Sequence, residues 1–133
     1  DLRSDCACVL PLTRALLDLP GLRFMRDPTR GGLATVAHEI AHVSGSSVRL
    51  WEAAVPVRDP VRSVCEMLGY DPYYLACEGR VVAVVMHHAL VDRAVQRAAH
   101  APCPAGPAGQ STPSALATST ALRMPSSWKP QPQ

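Results

Sequence analysis

The 133-residue chain has few aromatic residues, little net charge and no long apolar run. Aromatic side chains make up only 5%, so a packed core has to be built from Val, Leu, Ala and Ile. The net charge of +2 is too small to indicate nucleic acid as a partner. No apolar stretch approaches the roughly 20 residues that cross a bilayer, and no signal peptide is visible. These absences predict a cytoplasmic protein that binds neither nucleic acid nor membrane.

Cysteine pairs are also missing. The five cysteines contain no C-x-x-C pair, so a zinc ribbon or a thioredoxin-type motif has no support. Their odd number, in a chain without an export signal, predicts reduced thiols. The chain begins at Asp1 without Met, from which we expect a fragment of a longer protein.

The composition changes sharply near residue 100. Residues 102–133 contain no Asp or Glu and are rich in Pro, Ser, Ala and Thr. Such a segment buries too little apolar surface to offset its ordering entropy, about 1–2 kcal/mol per residue for the backbone. We therefore predict one domain in residues 1–100 and a disordered tail in residues 101–133.

Within the first 100 residues, hydrophobic periodicity and turn signals predict alternating helices and strands. Helices are expected at Val9–Leu19, from Asp27 to a Gly45 cap, at Val61–Leu68 and at His88–Ala99, the last with Val91, Ala94, Val95 and Ala98 inward. Strands are expected at Leu22–Arg26, Ser47–Leu50, Tyr73–Ala76 and Arg80–Val85. This order predicts an α+β fold in which helices cover a mixed or antiparallel sheet.

The first motif is the string R-D-P-T-R-G-G at residues 26–32. Asp27 suits a helix N-cap and Pro28 the first helical position. A helix start presents free N–H groups, and two glycines allow close approach of a ligand, while Arg26 or Arg30 can bind phosphate oxygens. The alternative is a capped helix whose glycines only permit tight packing.

The second motif, H-E-x-x-H, is formed by His38, Glu39 and His42. Two histidines four residues apart on a helix can bind zinc, with the glutamate as general base of a hydrolase. Val48 stands where a longer form of the motif has its third histidine. The three side chains fall opposite the apolar stripe of the helix, which favours the alternative of exposed polar residues.

The third motif is Cys77-Glu78-Gly79, which follows Asp71-Pro72. A carboxylate at a junction between two strands can serve as a base or bind the metal of a nucleotide. The alternative is an ordinary tight turn in which Gly79 supplies a positive φ. Cys77 is expected to pack rather than react.

Taken together, several strings resemble the hydrogenase maturation protein family HypE in order and spacing, over roughly residues 1–86. HypE belongs to the aminoimidazole ribonucleotide (AIR) synthetase-like, or PurM-like, group, whose members bind ATP between two domains. The matching strings are S-D-C-A (4–7), M-R-D-P-T-R-G-G-L-A-T (25–35), E-I-A (39–41), S-G (44–45), A-V-P-V (54–57), C-E-M-L-G (65–69) and C-E-G-R-V-V-A-V-V (77–85).

The resemblance implies an AIR synthetase-like C-terminal domain of a carbamoyl dehydratase. Such proteins use ATP with Mg²⁺ to dehydrate a carbamoylated C-terminal cysteine to a thiocyanate, for the cyanide ligands of NiFe hydrogenase. HypF would deliver the carbamoyl group, HypC and HypD would be further partners, and the parent would be a homodimer. On the matching residues, Glu78 would be catalytic, and the nucleotide would be bound by Asp27, Thr29, Arg30, Gly31 and Gly32.

Three departures accompany the resemblance. We expect the family's N-terminal ATP-binding domain to be absent and its terminal P-R-x-C to be missing, and Cys77 stands where the family has asparagine. The acid-free tail resembles translation in a shifted reading frame. We therefore expect this fragment to be inactive alone, and a non-catalytic dimerisation or docking module remains a third alternative beside the dehydratase and the zinc hydrolase.

Overall fold

The computed structural model describes residues 4–86 and 89–100. The predicted tail at 101–133 lies outside these ranges, as does His88, the predicted start of the last helix. Two 3₁₀ turns, Glu52–Ala54 and Pro72–Tyr74, interrupt the connections. The remaining elements follow in chain order: α1 (Leu10–Leu17), β1 (Leu22–Arg26), α2 (Gly32–Ser44), α3 (Asp59–Leu68), β2 (Val82–Val85) and α4 (Ala89–His100).

The two strands form an antiparallel sheet. Arg26 pairs with Val82 and Met25 with Ala83, and the register shifts between Leu22 and Phe24. The predicted limits of the first strand are confirmed, whereas the second is shorter than the predicted Arg80–Val85. In the described part of the chain the sheet is antiparallel rather than mixed.

Helices cover both faces of this sheet, because successive side chains of a strand point to opposite sides. On one face, α1 and α4 bury Leu16, Leu19, Val91 and Ala94 against Met25, Ala83 and Val85, with Val95 partly buried beside them. On the other face, α2 buries Val36 and Ile40 against Phe24, Val82 and Val84. The predicted α+β fold is confirmed, and so are the inward positions 91, 94 and 95; the side chain of Ala98 lies outside the described set.

Glycines end two of the helices as predicted. Gly45 has φ +61° and its N–H donates to the carbonyl oxygens of Ala41 and His42. Gly69 has φ +72° and its N–H donates to the carbonyl oxygen of Cys65. Both residues therefore take the left-handed conformation that closes a helix and that glycine adopts without strain.

The predicted start of α2 at Asp27 is wrong. The helix begins at Gly32, with Gly31 as its N-cap. Gly31 has φ +71°, and a right-handed helix does not continue through a residue in that conformation. The carbonyl oxygen of Pro28 accepts a hydrogen bond from the Cys77 N–H rather than serving an early helical turn. Residues 27–31 are therefore a loop.

Two predicted strands are also absent. Ser47–Leu50 has no regular structure, although Val48 and Leu50 pack beside the α2 cluster. Tyr73–Ala76 lies where the second 3₁₀ turn forms, because Asp71 caps it by accepting a hydrogen bond from the Tyr73 N–H at 2.8 Å. Local side-chain capping overrides the alternating pattern there.

The cysteines differ from the prediction at one position. Cys6, Cys65 and Cys77 are free thiols, but Cys8 is disulfide-bonded, so the prediction of reduced thiols throughout is wrong. Across residues 4–86 and 89–100, no helix combines the length and the apolar character required to traverse a bilayer.

Candidate functional site

The first candidate segment is the loop of residues 27–31 between β1 and α2, which we call the RDP loop. Asp27, Arg30 and Gly31 are exposed and Thr29 is partly buried. A hydrogen bond from the Thr29 side chain is the main cause that lowers the pKa of the Asp27 carboxyl, and the charge of Arg26 contributes least. The loop therefore places the ionised carboxylate of Asp27 near the positive charge of Arg26, just before α2 begins.

The second candidate segment is the turn of residues 77–79, which we call the CEG turn. Its Cys77 N–H donates to the carbonyl oxygen of Pro28 at 3.2 Å, although 49 positions separate the two residues in sequence. This bond brings the predicted nucleotide-binding segment and the predicted catalytic Glu78 to the same end of the sheet. Glu78 itself is exposed.

Gly32 lies against the backbone that leads into the CEG turn. A Cβ atom at this position would overlap the carbonyl oxygen of Tyr73 and would lie 2.6 Å from that of Leu75. The glycine is therefore required by packing, as one of the two sequence-based alternatives proposed. At Gly31 the atoms nearest to an added Cβ belong to the side chain of Thr35. Arg30 and Gly31 are both exposed beside the start of the helix.

Asp5 is a site residue for which sequence reasoning gave no role. Its Oδ2 atom accepts a hydrogen bond from the Glu78 N–H at 3.1 Å. A Cβ on Gly79 would overlap the Asp5 carbonyl oxygen and approach the Ala7 nitrogen to 2.8 Å. The only sequence signal was the S-D-C-A string within the family resemblance, which carried no information about the contact.

The reason for glycine at position 79 differs from the expected one. Gly79 is not among the residues of positive φ, so the alternative of a turn that needs a left-handed residue is wrong. The close approach of the segment around Asp5 leaves no room for a side chain. Glycine is therefore required at position 79 because a Cβ atom would not fit, and its backbone conformation plays no part.

The Cys77 thiol is held in its protonated form. Burial is the main cause that raises its pKa, Asp5 raises it further, and Arg80 opposes both. The thiol donates to the carbonyl oxygen of Leu75 at 3.4 Å. Because the thiolate is the nucleophilic form, this environment supports the predicted packing role.

The H-E-x-x-H segment lacks the arrangement of a zinc hydrolase. Glu39 forms a salt bridge with Arg26, so its carboxylate is engaged rather than directed at a metal-bound water. His38 and His42 are exposed. Among the residues that the structure describes, no group of three or more His, Cys, Asp or Glu side chains is placed to hold a metal ion. These observations favour the alternative of exposed polar residues.

Comparison with known families decides the classification. Residues 3–120 match the family described as AIR synthase related protein, C-terminal domain. The chain belongs to this family. Among curated proteins, carbamoyl dehydratase HypE of Escherichia coli K12 is 47% identical over 89 residues, which cover 67% of this chain and 26% of the relative. HypE of Bradyrhizobium diazoefficiens is 51% identical over 84 residues, 62% of this chain and 24% of the relative.

Solved structures agree with this classification. The crystal structure of E. coli HypE superposes with a TM-score of 0.67 at 38% identity, covering 77% of this chain and 31% of that one. A HypE structure in complex with ATP superposes with a TM-score of 0.63, and one of a HypE–HypF complex with 0.64. The resemblance to HypE is thus confirmed, and the chain spans about a quarter of the length of the curated relatives it matches.

Proposed function

We propose that this chain forms the C-terminal-domain side of an ATP site in a HypE-type carbamoyl dehydratase. The RDP loop would bind the nucleotide through Asp27, Thr29, Arg30 and Gly31, with Gly32 fixing the loop against the chain. Glu78 would act as the base. The observation that carries the proposal is the Cys77–Pro28 hydrogen bond, because it holds the two functional segments side by side.

The RDP loop fits a nucleotide phosphate and its metal. No side chain caps the first turn of α2, so its N–H groups are available to an anion. Arg30 is exposed beside them and carries a permanent positive charge. The lowered pKa of Asp27 keeps an oxygen ligand ionised, which is the kind of ligand that Mg²⁺ binds in nucleotide sites.

The chemistry requires activation of an amide-type oxygen. ATP would transfer its γ-phosphoryl group to the oxygen of the cysteine-bound carbamoyl group, with release of ADP and of one proton from nitrogen, and loss of phosphate with the second nitrogen proton would then leave the thiocyanate. Glu78 is exposed at the turn and would accept that proton. The contribution of the RDP loop would be positioning and charge neutralisation, which dominate phosphoryl transfer.

The rest of the proposal concerns the parts of HypE outside the quarter that this chain matches. We propose that activity requires the parts of HypE that this chain does not match, so that the chain alone turns over no ATP. HypF, HypC and HypD would be the partners, a homodimer the assembly, and the cytoplasm the location. The HypE–HypF complex among the structural neighbours supports the first of these partners.

A graft tests the proposal. The matched segment of E. coli HypE would be replaced by its counterpart from this chain, and ATP-dependent dehydration of the HypF-carbamoylated protein would be followed by mass spectrometry. We expect the graft to be active, Arg30→Ala to raise KM for ATP, and Glu78→Gln to lower kcat by about 10²-fold or more. Arg49→Ala removes an equal charge from an exposed residue beside Trp51 and should leave both constants unchanged.

Three outcomes would contradict the proposal. A folded graft that binds HypF without dehydrating its carbamoyl group would indicate a docking module instead. ATP turnover by the isolated 133-residue chain would show that the remaining parts of HypE are not required. An effect of Arg49→Ala equal to that of Arg30→Ala would show that charge, rather than position in the RDP loop, determines ATP affinity.

A further inference from the structure

The segment of residues 4–7 touches the CEG turn at three points, and we call it the SDC segment. The Asp5 carboxylate accepts the Glu78 N–H at 3.1 Å. The Asp5 carbonyl oxygen and the Ala7 nitrogen both adjoin the Cα of Gly79. More than 70 positions of chain separate the partners, so these contacts are tertiary and fix one segment against the other.

The other hydrogen bonds of the CEG turn are made by Cys77. Cys77 is bonded to Pro28 through its N–H and to Leu75 through its thiol. Glu78 is the one residue of the turn whose backbone N–H is bonded to a charged side chain, and its own side chain is exposed. Asp5 therefore helps to determine the position of the Glu78 backbone. It thereby also determines the position of the Cα atom that carries the Glu78 side chain.

We propose that Asp5 is the positioning residue of Glu78: its carboxylate, supported by the contact of its own carbonyl with Gly79, holds the CEG turn in the orientation that the base requires. This inference rests on the proposed function for the role of Glu78, while the contact itself does not. A hydrogen bond to an ionised acceptor is stronger than one between neutral groups, which suits a restraint on an exposed turn. Asp5 also lies close enough for its charge to raise the pKa of Cys77.

The first experiment uses the 133-residue chain itself. Amide hydrogen exchange of Glu78 would be measured by NMR in the unmodified protein and in Asp5→Ala, Asp5→Asn and Asp18→Asn. Asp5→Ala should accelerate exchange at Glu78 at least 10-fold while Val36 in the buried core stays protected. Asp5→Asn keeps an acceptor oxygen and should restore most of the protection. Asp18→Asn removes a carboxylate from the end of α1 and should change neither amide.

A second variant reaches the same contact without touching the charge. Gly79→Ala forces the SDC segment away from the turn, because the new Cβ would overlap the Asp5 carbonyl. It should therefore accelerate exchange at Glu78 in the same way. If either variant exposes Val36 as well, the effect is global unfolding; recovery of Glu78 protection in Asp5→Asn then supports a role for the acceptor oxygen at position 5, and no recovery opposes it.

The second experiment measures the consequence for the reaction in the E. coli HypE graft. Asp5→Ala should lower kcat by about 10- to 100-fold, the size of a misplaced catalytic group, and leave KM for ATP unchanged, with most of kcat regained in Asp5→Asn. An inactive parent graft would refute the proposed function and leave the exchange result standing. An active graft in which Asp5→Ala has normal kcat, or unaltered Glu78 exchange in the isolated chain, would overturn the inference.

Discussion

The guanidinium of Arg26, the last residue of β1, forms a salt bridge with the carboxylate of Glu39 on α2. The pair joins the sheet to the helix that follows the RDP loop. Because both side chains are engaged in the pair, Arg26 does not serve as the phosphate ligand and Glu39 does not serve as the general base that their motifs suggested. Sequence proximity to a functional string does not by itself make a charged residue part of the site.

This salt bridge should contribute little to stability. Both side chains are about one-third exposed, 32% for Arg26 and 39% for Glu39, so solvent screens their attraction. A double-mutant cycle with Arg26→Gln and Glu39→Gln should give a coupling free energy of about 0.2–1 kcal/mol. Urea unfolding at low and high salt measures it, and the coupling should shrink as salt increases. A coupling above 2 kcal/mol would show that the pair is less hydrated than its exposure indicates.

Gly32→Ala should be far more damaging than Gly45→Ala. The two glycines have similar φ values, +64° and +61°, so the left-handed strain is matched at about 1–2 kcal/mol. Only Gly32 faces backbone atoms, whereas a Cβ at Gly45 meets nothing within 4 Å. We expect an additional cost of roughly 1–3 kcal/mol at Gly32 from overpacking. Equal losses in denaturant unfolding would refute the close contact with residues 73–75.

Thr29→Val should raise the pKa of Asp27. The valine keeps the shape of the side chain but cannot donate the hydrogen bond that is the largest cause of the lowered value. In the unmodified protein the pKa of Asp27 is lowered by folding, so its ionised carboxylate stabilises the folded state at pH values above the ordinary pKa of 3.8. This contribution is lost as pH falls through the lower folded-state pKa. NMR titration of the Asp27 carboxyl between pH 2 and 6 measures the shift. Thr35→Val is the control and should leave the titration unchanged.

The Cys77 thiol should react slowly and only at high pH. Its pKa is raised above the ordinary value of 9.0, chiefly by burial, so the stabilising effect of the protonated thiol is present below pH 9 and is lost as pH rises through the folded-state pKa. Alkylation with iodoacetamide, resolved by peptide mass spectrometry, should be slower at Cys77 than at the exposed Cys6. Faster labelling of Cys77 at pH 7 would contradict its buried, protonated state.

The sequence was sufficient where a residue's effect is local. Gly45 and Gly69 end their helices as predicted, and β1 has the predicted limits, because cap chemistry and apolar alternation act within a few residues. The start of α2 failed because an N-cap aspartate and a following proline suit a loop as well as a helix. At Tyr73–Ala76 the Asp71 cap decided the structure over the strand pattern.

The site shows a clearer division between what sequence could and could not predict. The RDP and CEG strings were recognisable because glycines and charges are concentrated there. Their contact through Pro28 and Cys77 was not, since a backbone hydrogen bond between distant residues leaves no trace in side-chain type. Asp5 could not be identified either, because one aspartate in an irregular segment has no periodicity.

The alternation of side chains along β1 and β2 divides the described core into two hydrophobic clusters, one on each face of the two-stranded sheet. Residues adjacent in sequence, such as Phe24 and Met25, belong to different clusters. The RDP loop leads into the helix of one, while α4 is packed in the other. A substitution on α4 is therefore transmitted to the RDP loop chiefly through the strands, so the sequence of α4 can vary with little effect on the conformation of that loop.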